Sequence, residues 1–92
     1  MEQLDDATIA SRLEQLDGWQ RNGDAIERSL TFDDFTSAID FINRIAEHAE
    51  QADHHPEIFN VYNNVDLTLT THDAGGLTDK DFDLAETING EV

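Results

Sequence analysis

The chain has no cysteine, so neither disulfides nor thiolate metal sites can hold it together. No apolar run approaches the roughly 20 residues needed to cross a bilayer. The opening MEQLDDATIA has neither the basic nor the apolar region of a secretion signal. The expected location is therefore the cytoplasm, with no membrane partner. Basic residues are scarce: 5 stand against 21 acidic ones, and Lys80 is the only lysine. A formal charge of −16 repels phosphate backbones, which excludes direct nucleic-acid binding as an expected role.

Such a charge balance can signal disorder. Here the apolar residues are periodic and the acids are spread along the chain, which predicts a folded protein. The acidity fits a surface adapted to extreme salt. Molar salt shortens the Debye length to about 3 Å, so mutual repulsion becomes tolerable. The fold is expected to loosen in low salt. The 92 residues suggest one small domain over 1–92. A domain of this size buries only about 60–65% of its unfolded surface. Self-association is the expected support, as a homodimer or homotetramer.

LDDATIASRLEQLDGW reads as a helix with Asp5 or Asp6 as N-cap. Leu4, Ile9, Leu13 and Leu16 lie at near-helical spacing and Gly18 is the stop. Next comes a hairpin turning at Asn22-Gly23. The clearest helix follows. Phe35, Ala38, Ile39, Ile42, Ile45, Ala46 and Ala49 form its apolar stripe, with Asp33 or Asp34 as cap and an end near Asp53. The only proline, Pro56, pushes His55 out of helical geometry.

EIFNVYNNVDLTLTTHD reads as a second hairpin turning at Asn63-Asn64. Val65, Leu67 and Leu69 alternate with Asp66, Thr68 and Thr70, as in a half-buried strand. A glycine loop leads to a last helix, which Thr78 and Asp81 begin at capping-box spacing. The order α-ββ-α-ββ-α predicts a two-layer α+β fold, an antiparallel four-stranded sheet with helices on one face.

A turn at Asn63-Asn64 pairs Tyr62 with Val65, and continuing outward it sets His72 opposite His55. The mouth of the hairpin then gathers His54, His55 and His72, with Glu50 one helical turn before His54 and Asp73 and Asp81 near in sequence. Three histidines suit proton transfer near neutral pH, because free imidazole titrates near pH 6.5. Elimination of water is such a reaction: a hydroxyl must be protonated while another proton is removed nearby.

Glu50-x-x-x-His54-His55-Pro56, followed by Tyr62, His72 and Asp81, resembles the signature of the pterin-4a-carbinolamine dehydratases. LDGW near the start and HHPEIFNVYNNVDLTLTTHDAGGLT in the second half fit the same pattern, so the similarity runs from about Leu13 to Ile88. The resemblance implies dehydration of 4a-hydroxytetrahydropterin to the quinonoid dihydropterin, without a metal or organic cofactor. By it, His54 and His72 exchange protons with the 4a-hydroxyl and a ring nitrogen, and His55 positions the pterin. Glu50 and Asp81 support the imidazoles. It also implies a sheet with helices on one face, assembly into dimers and tetramers, and in some members a role as dimerisation cofactor for a homeodomain transcription factor. Many members carry tryptophan after HHPE, where this chain has Ile58.

Blander roles compete for several of these residues. His54 and His55 suit a helix C-terminus through its dipole. His72 can be an exposed strand-end residue, Asp81 a capping residue and Glu50 part of a solvated acidic face. His48 reads as surface, and Gly75-Gly76 as turn residues. Trp19, Phe32, Phe35 and Phe59 read as core or subunit interface. Two other functions also fit: a metal-binding protein using the three histidines and a carboxylate, and a non-catalytic interaction module pairing through its sheet edges.

Overall fold

The computed structural model describes residues 2–92. Three helices, α1 (Asp6–Glu14), α2 (Phe35–Ala52) and α3 (Asp79–Asn89), alternate with two hairpins, β1 (Gln20–Asn22) with β2 (Ala25–Thr31) and β3 (Glu57–Val61) with β4 (Asn64–Leu69). The strands form one antiparallel sheet in the order β1-β2-β4-β3. This is the expected α+β architecture. No helix among the described residues is long and apolar enough to cross a membrane.

The helices start where short acidic side chains accept otherwise unpaired N–H groups. Asp5 accepts from Thr8 and Asp34 from Ser37, each at 2.8 Å. One face of the sheet is apolar: Ile26 pairs with Leu69 and Leu30 with Val65, with Leu67 between them on β4. These side chains meet Ala38, Phe41 and Ile45 of α2 and Phe82, Ala85 and Ile88 of α3, with Ile9 of α1, in a single core. Arg12 ties α1 to α3 through Asp79 and Asp83, its guanidinium 5.0 Å from the Phe82 ring centroid.

Several expectations are corrected. Helix α1 stops at Glu14, so Leu16 packs into the core from beyond its end, and Gly18 serves a later turn at φ +82°. The buried stripe of α2 runs through Ala38, Phe41, Ile45 and Ala49, whereas Phe35 and Ala46 are exposed. The stripe is rotated because α2 must face both the sheet and α3 at once. Asn22 pairs with Ala25, so the first turn is Gly23-Asp24.

The second turn is Tyr62-Asn63, because Val61 pairs with Asn64. Its physical cause lies at and just beyond the end of β2. Asn63 is fixed there by Phe32, whose N–H donates to the Asn63 carbonyl and whose carbonyl accepts from the Asn63 amide, both at 2.8 Å. Asn64 pairs with Thr31 and accepts its hydroxyl at 3.0 Å. Tyr62 therefore takes the left-handed conformation, φ +50°, that the pattern assigns to an asparagine. By this register the residue opposite position 55 is Thr70, so His72 does not face His55 across a ladder.

Candidate active site

The end of α2 positions the first two histidines. Asp53 closes the helix in the left-handed conformation, φ 50°, and the His54 N–H returns to the Ala49 carbonyl at 3.1 Å. That reversal swings His54 across the helix end toward α3. Its Nε2 lies 2.5 Å from Asp81 Oδ1, and the carboxylate is fully buried. His55, one residue on, leans back over the last turn, with Nε2 2.7 Å from Glu50 Oε1 in an exposed pair.

The third histidine arrives by a different route. After β4 the chain forms a bridge between Thr71 and Gly76, and His72–Ala74 make one 3-10 turn between them. Gly75 supplies the left-handed residue that closes this turn, at φ +73°. The turn carries His72 to the cleft although the predicted pairing with His55 is absent. His54, His55 and His72, with Asp53, Thr71 and Lys80, line a cleft of about 270 Å³. Convergence therefore comes from the helix reversal and the 3-10 turn. The three imidazoles do not share one point: among the described residues no three His, Asp or Glu side chains are grouped to hold an ion.

Asp81 organises the buried side of the cleft. Oδ2 accepts from the Thr71 hydroxyl at 2.8 Å and from the Thr78 N–H at 3.0 Å, while Oδ1 faces His54. The capping role and the support of His54 are thus carried by the two oxygens of one carboxylate. An ionised carboxylate only accepts hydrogen bonds, so opposite one His54 would donate from Nε2, and Nδ1 makes no hydrogen bond among the described residues. Thr71 also contacts the Thr78 hydroxyl at 2.8 Å.

The sequence does carry a signal for Thr71. The buried parity of Val65, Leu67 and Leu69 continues to it, and a polar side chain at a core position requires a partner. His48, expected at the surface, is partly buried and lies 2.7 Å from Glu91, where it ties the C-terminal segment to α2.

A sequence profile described as pterin 4 alpha carbinolamine dehydratase matches residues 2–90. The chain belongs to this family. A Thermomicrobium roseum protein named "Putative pterin-4-alpha-carbinolamine dehydratase" is 53% identical over 88 residues, spanning 96% of this chain and 95% of that one. A Cyanothece protein of the same name is 54% identical, spanning 94% of this chain and 89% of its own. The crystal structure of a transcriptional coactivator/pterin dehydratase from Brucella melitensis superposes with a TM-score of 0.94 at 42% identity, covering 98% of both chains. A pterin dehydratase-like protein described as a RuBisCO assembly factor shares the fold alone, at a TM-score of 0.65 and 18% identity, over 79% of this chain and 84% of its own. Within the family frame, Ile58 lies on β3 with 40% of its surface exposed.

Proposed function

We propose that residues 1–92 act as one dehydratase domain that converts a 4a-hydroxytetrahydropterin to the quinonoid dihydropterin and water by histidine acid/base catalysis. The observation that carries this reading is the cleft itself, in which His54, His55 and His72 meet in three different settings. His54 is backed by a buried carboxylate, His55 by an exposed one, and His72 has no side-chain hydrogen bond among the described residues.

Dehydration breaks the C4a–O bond. The departing oxygen takes one proton to leave as water, and the adjacent ring N–H gives up one proton, so the net loss is a single water. Neutral His54 accepts the ring proton at Nδ1, and Asp81 stabilises the imidazolium that results. His72 delivers a proton to the hydroxyl. His55, held by Glu50 at the rim, orients the ring. The chain's own residues suffice for both transfers, so the reading invokes neither metal nor organic cofactor.

Self-association belongs to the same proposal. Phe59 and Val61 project from the polar face of the sheet and are more than half exposed, and Tyr62 continues the patch. Edge strand β3 and the turn after it carry this apolar surface, which suits burial against a second copy. The acidic surface is read as adaptation to concentrated salt.

Stopped-flow dehydration in molar potassium chloride tests the catalytic reading. His54→Ala and His72→Ala are each expected to slow turnover by about 10²–10⁴, the usual contribution of one acid or base. His55→Ala is expected to act mainly on KM. Full activity in folded His54→Ala and His72→Ala variants would end this reading.

A further inference from the structure

The four arginines of the chain are all engaged. Arg12 bridges Asp79 and Asp83, Arg21 reaches Asp6, and Arg44 meets Glu91. Arg28 donates to Asn89 and to the Asp17 carbonyl. Lys80 is the one basic residue with neither an ion pair nor a side-chain hydrogen bond among the described residues, in a chain with 21 acidic side chains. Of its carboxylate neighbours on α3, Asp79 and Asp83 are held by Arg12, and Asp81 by His54, Thr71 and Thr78. Lys80 is also the second residue of α3, where a cation opposes the helix dipole. The depressions around it also carry Asp53, Asp73, Asp79 and Asp83, yet no ion pair among the described residues fixes the ammonium.

What Lys80 does contact is space. It lines the histidine cleft. It also lines a groove between α2 and α3 that includes His48 and Thr87, and a second groove beneath the N-terminal segment at Gln3 and Thr78. The side chain thus stands on the ridge where three depressions meet. Lys80 is the residue shared by the cleft and both grooves, so a substituent that runs from a ring at the histidines into either groove would come beside this ammonium.

We infer that Lys80 is a specificity-determining residue that favours pterins whose ring substituent ends in an anion, a carboxylate or a phosphate. The identity of the ring rests on the dehydratase reading, whereas the charge preference rests on Lys80. An overall charge of −16 repels every anionic ligand, so the diagnostic quantity is the change in a ratio between variants.

Pterin fluorescence gives the test. The intact protein, Lys80→Gln and Lys80→Arg are titrated at one salt concentration with 6-methylpterin, pterin-6-carboxylate and 6-hydroxymethylpterin phosphate. The affinity ratio of an anionic to the uncharged ligand is expected to fall about fivefold in Lys80→Gln, the scale of one rim-exposed ion pair, and to recover in Lys80→Arg. A larger fall for the phosphate or for the carboxylate identifies which anion the site prefers. An unchanged ratio, equal weakening of all three ligands, or no binding of any of them overturns the inference. Dehydration of a 4a-hydroxytetrahydropterin is followed in parallel. A ratio shift without turnover overturns the dehydratase reading and leaves the charge preference standing; turnover with a flat ratio does the reverse.

Discussion

Replacing Asp81 with asparagine separates the two duties of this carboxylate. The side chain is fully buried and receives three donors: Thr71 and Thr78 at Oδ2 and His54 at Oδ1. An asparagine that keeps its oxygen toward Thr71 and Thr78 points its amide NH₂ at His54. The imidazole must then present a lone pair at Nε2 and carry its proton on Nδ1. The free nitrogen changes from acceptor to donor, so the neutral ring no longer takes a proton from the substrate. The expected loss in kcat is about 10²–10⁴, that of a general base. The cost in stability is about 1–2 kcal/mol, the difference between a charge-assisted and a neutral hydrogen bond. Asp81→Ala instead strands the buried Thr78 N–H and the hydroxyl network beside it, at roughly 2–4 kcal/mol. Stopped-flow rates, thermal melts and ¹⁵N shifts of the His54 ring read the three quantities separately. An Asp81→Asn variant with a near-normal rate, or with the proton still on Nε2, would refute the tautomer reasoning.

Acid should loosen the helix starts and the C-terminal tie. The Thr8 and Ser37 N–H groups hold the carboxyls of Asp5 and Asp34 below their ordinary range, and the His48 hydrogen bond does the same for Glu91. A carboxyl lowered in the folded state stabilises the fold above its unfolded value, and that contribution disappears as pH falls through the folded value. Amide exchange at the starts of α1 and α2 and at the C-terminus should therefore rise below about pH 4, where free carboxylates titrate. Asp34→Asn should flatten the acid slope of the melting temperature; an unaltered slope would contradict the capping assignment. Salt should act on the whole molecule: the melting temperature is expected to climb steadily from about 0.1 M to molar potassium chloride as the −16 charge is screened. A flat profile would contradict the proposed salt adaptation.

Much of this was legible from residues alone, and the limits are specific. Asp5, Asp34 and the pair Thr78 and Asp81 announce helix starts because a short oxygen-bearing side chain before an apolar period has few other uses. Val65, Leu67 and Leu69 announce a half-buried strand by parity. The turns were each misplaced by one residue because a turn dipeptide specifies where reversal is cheap locally, while register is set by the neighbouring strand. Phe41 escaped the apolar stripe of α2 because periodicity gives the width of a buried face and not its rotation. Lys80 carried no pattern of its own; it stands out only once Arg12 is seen to occupy its neighbours.

The sequence by itself determined the elements, their order, the acidic surface and the set of histidines, since these follow from local propensity and composition. Tertiary structure decided how the histidines meet. The predicted ladder contact between His55 and His72 does not form, because Phe32 and Thr31 claim Asn63 and Asn64 and shift the hairpin. The left-handed residue at Asp53 and the 3-10 turn after Thr71 gather the same side chains in one cleft instead. Each is closed by local hydrogen bonds, but what joins the two segments is Asp81 of α3, which meets His54 from one and Thr71 from the other, and no local pattern encodes that.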